Sequence, residues 1–152
     1  MIRMTKLADY GIVILTHMSM ERQGSLHTAH DLAARSRVPV PTASKLLKSL
    51  TRAGLVLSHR GRHGGYGLAR DPDTISVAEI IAAIEGPIGL TECGTGTEGA
   101  CDMESFCAAK GRWAPINQAI ERALQDVPLS AMRPQTPTGQ MVRLGGIAEV
   151  AP

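Results

Sequence analysis

The sequence predicts a mainly α-helical protein: a winged helix-turn-helix with a small β-hairpin as its wing, followed by a C-terminal dimerisation helix. Three observations predict this class. The first half contains three short segments with the apolar periodicity of helices, and a hairpin rich in Gly and Arg comes directly after them. An amphipathic segment later follows a loop that holds every cysteine. At 152 residues the chain is long enough to bury one core unaided.

Apolar stripes and end signals mark the first three helices. Residues 5–20 form the first, with five apolar residues on one stripe: Leu7, Tyr10, Ile14, Leu15 and Met18. The second begins at Thr28, which makes a weaker form of the capping box with Asp31. Pro41 suits the first turn of the third helix because the N–H that proline lacks is not needed there, and Gly54 suits the left-handed residue after its end. The buried face of this helix is expected to hold Leu46, Leu47 and Leu50.

A hairpin and two further helices complete the order of elements. Strand-like pieces at 55–59 and 66–69 flank a turn rich in Gly and Arg. The fourth helix starts with a capping box formed by Ser76 and Glu79, and its apolar face holds Val77, Ile80, Ile81 and Ile84. The last helix carries a stripe that a small core would not need, made of Ile116, Ala119, Ile120, Ala123, Leu124 and Val127.

Four regions follow from this order of elements. Residues 1–87 form the winged helix-turn-helix, 88–110 the cysteine loop, and 111–130 the dimerisation helix. Residues 131–152 are aperiodic and rich in Pro and Gly, so we expect a disordered tail. No stretch approaches the length of a membrane span and no targeting segment is visible, which predicts a cytoplasmic protein.

Charge is divided unevenly between the two halves of the chain. The net charge is +2, but residues 1–70 hold eleven of the sixteen Lys and Arg and only three acidic residues, a balance of +8. Residues 71–152 hold the other five bases and eleven acids, a balance of −6. A basic half on a winged-helix frame indicates binding to double-stranded DNA, whereas the scarcity of aromatic residues argues against stacking of single strands.

The residues expected to contact DNA lie on the third helix and in the hairpin turn. In a winged helix-turn-helix the third helix enters the major groove, and the wing lies against the backbone or the minor groove. Hydroxyl groups can bond to base edges or phosphates, Lys and Arg neutralise phosphates, and Gly lets the backbone approach closely. We expect these contacts from Thr42, Ser44, Lys45, Lys48, Arg60, Arg62, His63 and Gly64. A solvated basic turn is the alternative for the hairpin taken alone.

The sequence offers no arrangement that would support catalysis. It has no Ser/His/Asp or Cys/His arrangement and no paired-carboxylate motif. The segment "GRHGG" in the hairpin lacks the Gly-Lys-Ser/Thr ending of a phosphate-binding loop. We therefore expect a protein that is not an enzyme.

The cysteine loop, "ECGTGTEGACDMESFC", contains all three cysteines of the chain: Cys93, Cys101 and Cys107. The gaps of seven and five residues between them are wider than the spacing usual in structural zinc sites. Three thiolates on a glycine-rich loop can converge on something larger than one ion, and an iron–sulfur cluster takes such soft ligands, normally four of them. The alternatives are a zinc site completed by a carboxylate or histidine, a bare thiol redox sensor, and a chance clustering of the cysteines.

Four stretches, in one order, resemble a known family. "MIRMTKLADYG" opens the chain, "HRGRHGGYGLAR" spans the wing, "ISVAEIIAAIEG" covers the fourth helix, and the cysteine loop precedes a helix led by Trp. Over about residues 1–130 the chain resembles the winged-helix iron–sulfur regulators, which include the Isc and Suf cluster-assembly regulators and the nitric-oxide-sensing repressor. "KLADYGIVILTHM" and "IEGPIGLTECG" are most similar to the Suf-system assembly regulators.

The resemblance implies a homodimer joined through its C-terminal helices, with a 2Fe–2S or 4Fe–4S cluster on the three cysteines. The fourth ligand varies within the family. The histidine that Isc-type regulators place three residues after the last cysteine is Lys110 here, whereas the aspartate that the nitric-oxide sensor supplies from the partner subunit matches Asp9. Asp9 has a second interpretation, because an acid in the first turn of a helix complements the helix dipole. Weaker candidates are His17, His27 and His30.

These features together predict a homodimeric transcription regulator that senses an iron–sulfur cluster and binds a double-stranded DNA operator. The resemblance implies repression of iron–sulfur assembly genes. Cluster occupancy would reposition the loop and the dimer helices, and so change the spacing or angle of the two recognition helices, which requires two distinct protein states. A thiol-redox or zinc-dependent sensor on the same DNA-binding frame is the alternative.

Overall fold

The computed structural model describes residues 4–95, 101–103, 106–109 and 111–134. Within these residues the α-helices are α1 Lys6–Ser19, α2 Ala29–Ser36, α3 Val40–Arg52, α4 Val77–Glu85 and α5 Ala114–Gln125. Strands β1 Val56–His59 and β2 Gly65–Leu68 pair antiparallel between α3 and α4. The predicted mainly α-helical fold with a small hairpin wing is confirmed. None of the described helices combines the length and the apolar character that crossing a membrane requires.

Local end signals set the helix boundaries as the sequence predicts. The side chain of Thr28 caps α2 and that of Ser76 caps α4. Each accepts a hydrogen bond from the backbone N–H three residues later, and both capping boxes are complete. At the end of α3, Gly54 has a φ of +74°, and the Leu55 N–H donates to the Leu50 carbonyl oxygen at 3.0 Å. This left-handed ending returns Leu55 to the core, where it is buried.

The core lies where the first four helices meet. Its largest fully buried side chains are Ile14, Leu15, Leu32, Leu47, Leu50, Val56, Ile75, Ile80 and Leu129. Helices α1 and α4 approach closely at Gly11, where a Cβ atom would overlap the Ile84 side chain. Ala8 is fully buried in the core, whereas Leu7 is 40% exposed. Leu7 is therefore the one exposed member of the predicted apolar stripe of this helix.

A short backbone bridge ties the wing to the helical body. The His27 N–H donates to the Tyr66 carbonyl oxygen at 2.9 Å, and the Tyr66 N–H donates to the His27 carbonyl oxygen at 2.8 Å. Gly65 permits this pairing, because a Cβ atom there would lie only 2.7 Å from the His27 oxygen. The hairpin is thus held against the segment that leads into α2.

The chain after α5 turns back onto the core. The Leu129 N–H donates to the Ile75 carbonyl oxygen at 2.7 Å, and the Leu129 side chain is fully buried. Residues Leu129–Met132 form a 3-10 turn, after which Arg133 Nε donates to Ser19 Oγ at 3.1 Å. These contacts hold the described chain against the core as far as Arg133, beyond residue 131, where the tail is expected to begin. The rest of the expected tail lies outside the described residues.

The capping carboxylate of α4 should make stability depend on pH. Burial acts to raise the pKa of Glu79, but hydrogen bonds from the Ser76 N–H at 2.9 Å and from Arg70 at 2.6 Å outweigh it and hold the pKa below the ordinary 4.5. A depressed pKa in the folded state contributes stability that is present above the unfolded pKa and is lost as pH falls through the folded value. We expect Glu79→Gln to lower the free energy of unfolding at neutral pH by about 0.5–1 kcal/mol, since solvent screens this exposed pair.

Urea unfolding across acidic pH tests this prediction. The difference between wild type and Glu79→Gln should close as the pH falls below 4.5. Glu121→Gln, at an exposed position of α5, is the control and should leave the pH profile unchanged. A Glu79→Gln difference that stays constant from neutral to strongly acidic pH would contradict the assignment.

Candidate nucleic-acid interface and cysteine loop

Helix α3 has one buried and one accessible face. The buried face holds Ala43, Leu46, Leu47 and Leu50. Lys45 and Lys48 are exposed, and Thr42 and Ser44 are partly exposed. All four residues expected to contact DNA from this helix therefore lie outside its buried face.

Glycines close the turn of the wing. Gly61 has a φ of +115°, which residues with a side chain rarely adopt. A Cβ atom at Gly64 would overlap the His59 carbonyl oxygen, and the Gly64 N–H donates to the Gly61 oxygen at 3.0 Å. The tight turn leaves three basic side chains exposed: Arg60, Arg62 and His63.

The cations of α3 and of the wing have no carboxylate partners within the described part of the chain. The ion pairs found there join Arg35 to Glu21 and Arg70 to Glu79, each at 2.6 Å, and none of these residues belongs to α3 or to the wing turn. Cations that are not already paired can neutralise phosphates and release the counterions that surround DNA. The surface made by α3 and the wing is therefore suited to a nucleic-acid duplex.

The entry of the cysteine loop is fixed to α5. The Leu90 N–H donates to Asn117 Oδ1 at 3.0 Å. Gly94 lies against the same carboxamide, since a Cβ atom there would overlap Asn117 Nδ2. Cys93 lies between these two contacts along the chain, in the 3-10 turn Glu92–Thr95. The backbone that carries the first cysteine is thus held by α5.

Two of the three cysteines can be described at their side chains. Cys101 and Cys107 are partly buried, and neither forms a disulfide. The side chain of Cys93 and most of the glycine-rich stretch after it lie outside the described residues. Soft thiolate ligands are what an iron–sulfur cluster takes, and free thiols on a loop meet that requirement. The donor set of this chain therefore fits such a cluster.

The other predicted ligands are spread over α1, α2 and the turn between them. Asp9 is exposed in the first turn of α1, and His30 is exposed on α2. Burial, together with the charge of Arg35, lowers the pKa of His17. His27 Nε2 is buried and has no hydrogen-bond partner among the described residues. Among the described side chains, which do not include that of Cys93, no three His, Cys, Asp or Glu lie close enough to hold a metal ion.

Helix α5 leaves much of its apolar stripe uncovered. Ile116 is 46% exposed, and Ala119 and Ala123 are exposed as well. Ile120 is half-buried, and Leu124 packs partly against the core. The buried residue of this helix is instead the polar Asn117.

Sequence reasoning missed both Asn117 and the backbone role of His27. Asn117 stands beside Ile116 at the margin of the stripe, and a short polar residue in that place was the available signal. The pairing of His27 with Tyr66 joins residues far apart along the chain, and no local pattern announces it.

Comparison with known proteins identifies the family that this chain matches. The Rrf2 family, described as iron-dependent transcriptional regulators, matches residues 4–134. IscR of Vibrio vulnificus is 27% identical over 86% of this chain and 76% of its own, and NsrR of Shouchella clausii is 26% identical over 81% and 80%. Both are HTH-type transcriptional regulators.

Solved structures show the same architecture. CymR, the global cysteine regulator of B. subtilis, aligns with a TM-score of 0.66 and 26% identity over 86% of this chain and 95% of CymR. T. potens IscR aligns with a TM-score of 0.63 and 27% identity over 86% and 85%. The expectation that the protein is not an enzyme agrees with this family of regulators. With its exposed basic helix and wing, the chain belongs to the Rrf2 family of winged-helix, DNA-binding transcriptional regulators.

Proposed function

We propose that this protein is a homodimeric regulator that senses an iron–sulfur cluster on Cys93, Cys101 and Cys107 and represses iron–sulfur assembly genes. One observation carries the proposal most directly. The loop that holds every cysteine is tied at Leu90 to α5, the helix whose apolar stripe is left uncovered. A ligand on the loop and a partner on α5 would therefore act on the same helix.

Each residue of the proposed site has a distinct task. Three thiolates would hold the cluster, which supplies redox-active iron when bound. Asp9 of the partner subunit would provide the fourth ligand, and a carboxylate is a harder and weaker partner for iron than a thiolate. The glycine-rich stretch after Cys93 lets the loop wrap its ligand. Binding of the cluster would then move the attachment of the loop on α5.

Dimerisation turns movement of α5 into a change in DNA binding. The dimeric helix-turn-helix reads two half-sites about 34–36 Å apart, so the distance between its two recognition helices decides whether both fit the operator. Two α5 helices that pack through their stripes set this distance. A loaded and an empty loop would favour different packings, which gives the two states that coupling between sites requires.

A thiol-based sensor is the second candidate. It is favoured by the free, partly accessible thiols of Cys101 and Cys107 and by the similarity to CymR, which is described as a global cysteine regulator. In that case the cysteines would be oxidised directly, without metal. Iron and sulfide content separates the two candidates.

The DNA-binding part of the proposal predicts a loss of affinity with a lower salt dependence. Lys48→Ala and Arg62→Ala should each weaken binding to every duplex and reduce the slope of log K against log salt by about 1, because each removes one phosphate contact. Titrations of labelled operator and unrelated duplex at several salt concentrations measure both effects. Lys6→Ala removes an exposed charge that lies on neither α3 nor the wing and serves as the control. Variants with wild-type affinity and slope would remove the assignment.

The fourth-ligand assignment predicts a spectral change. Asp9→Ala should retain some colour but shift the visible spectrum and hasten cluster loss in air, because three thiolates still hold the other sides. Asp31→Ala removes an acid from the first turn of α2 instead and should leave the spectrum unaltered. If Asp9 serves only the helix dipole, its replacement costs about 0.3–1 kcal/mol of stability and the cluster decays as in wild type. That result would place the fourth ligand elsewhere.

A further inference from the structure

Asn117 is a buried polar side chain whose oxygen is hydrogen-bonded and whose nitrogen is not. It is 6% exposed, Oδ1 accepts from the Leu90 N–H, and Nδ2 has no partner among the described residues. A backbone N–H can only donate, so the Leu90 contact fixes the oxygen on that side and the nitrogen on the other. A buried donor without an acceptor destabilises the fold, because it gives up its hydrogen bond to water and gains none in return. A group this costly needs a physical reason.

The unpaired nitrogen faces the cysteine loop. A Cβ atom at Gly94 would overlap Nδ2, so the absence of a side chain there is what lets the backbone next to Cys93 approach the amide. Asn117 also lines two cavities, of about 520 and 850 Å³. The smaller is shared with Gly94, which follows Cys93 within the cysteine loop, and with Gly111, which comes just after the loop. The N–H groups of Asn117 Nδ2 thus lie beside a cavity that the cysteine loop would border when it holds a cluster.

We propose that Asn117 is a positioning residue for the cluster, acting through both ends of its amide. Oδ1 anchors the loop entry at Leu90, and Nδ2 donates an N–H to a sulfur acceptor, a cysteine thiolate or a cluster sulfide, when the loop is loaded. This inference rests on the proposed function. Hydrogen bonds to sulfur raise the reduction potential of a cluster and help to retain it. Because Asn117 belongs to α5, the same bond reports cluster occupancy to the helix with the uncovered stripe.

Asn117→Asp separates the two ends of the amide. An ionised carboxylate still accepts from the Leu90 N–H but has no N–H to donate, so the comparison is made at about pH 8.5 to favour ionisation. Gln118→Glu adds the same charge at the next, exposed position of α5 and is the matched control. Asn117→Leu removes both ends. Three quantities are measured: the rate of cluster loss in air, the reduction potential, and hydrogen exchange of the Leu90 amide in cluster-free protein.

Asn117→Asp should lose its cluster about tenfold faster than Gln118→Glu and show a lower reduction potential. Its Leu90 exchange should match wild type, whereas that of Asn117→Leu should be faster. Equal loss rates and potentials in the two charge variants would overturn the donor role. Wild-type Leu90 exchange in Asn117→Leu would overturn the anchor. A wild-type protein that binds no cluster would overturn the proposed function and the donor role together, while Leu90 exchange would still decide the anchor.

Discussion

Replacement of any one of the three cysteines with Ser should remove the visible chromophore and most of the bound iron and sulfide. A serine hydroxyl is a hard, protonated oxygen at neutral pH and replaces a thiolate poorly at iron. Loss of a direct ligand should exceed the 10- to 100-fold effects known for residues that merely support ligands, so we expect at least about a tenfold drop in cluster content. Absorption spectra and iron and sulfide analysis of anaerobically purified variants measure it.

Met103→Ala is the control for this series. Met103 is 64% exposed within the same loop, so its replacement alters the segment without removing a thiol. Its chromophore should match wild type. Cysteine variants that all still assemble the cluster would remove the ligand assignment, and retention by one variant alone would remove that residue from the ligand set.

Ile120→Asp should convert the dimer to monomers and weaken operator binding at least a hundredfold. A carboxylate in the middle of the apolar stripe of α5 would have to be buried without a partner, which disfavours association. Each monomer then binds one half-site without the increased effective concentration that linkage provides, commonly worth 10²- to 10⁴-fold. Sedimentation and operator titration measure the two effects.

Two controls distinguish loss of the dimer from unfolding of the protein. Circular dichroism should show that Ile120→Asp keeps its helices, because the core formed by the first four helices does not depend on this half-buried side chain. Gln118→Asp places the same charge at an exposed position of α5 and should remain dimeric. Wild-type protein that sediments as a monomer at micromolar concentration would contradict the proposed dimer.

Interactions between residues close together in the sequence made the fold predictable. Capping at Thr28 and Ser76 satisfies helix N–H groups within three residues, so the boundaries of α2 and α4 are visible in the sequence. Gly54 is similarly local, because only its own φ angle and the next residue decide how α3 ends. The hairpin was visible because its turn needs glycine at Gly61 and Gly64.

Features that depend on distant contacts were not predictable. Leu7 shares the helical spacing of the apolar stripe, yet its side chain is 40% exposed in the folded chain, while the neighbouring Ala8 is buried. The pairing of Leu129 with Ile75 likewise carries the packed chain past its expected end.

Some residues of the candidate site could be predicted from the sequence, and others could not. The cysteines stand out by type and clustering alone, and the DNA-contacting residues by charge and helical face. Asn117 stayed hidden because its importance comes from Leu90 and Gly94, which approach it only in the folded chain.

The central claim is that the cysteine loop binds an iron–sulfur cluster. Anaerobic purification of the wild-type protein, followed by an absorption spectrum and by iron, sulfide and zinc analysis, tests it most directly. The proposed function predicts a brown protein in which iron and acid-labile sulfide occur in near-equal amounts. A colourless protein with stoichiometric zinc, or with three free thiols and no metal, would contradict it.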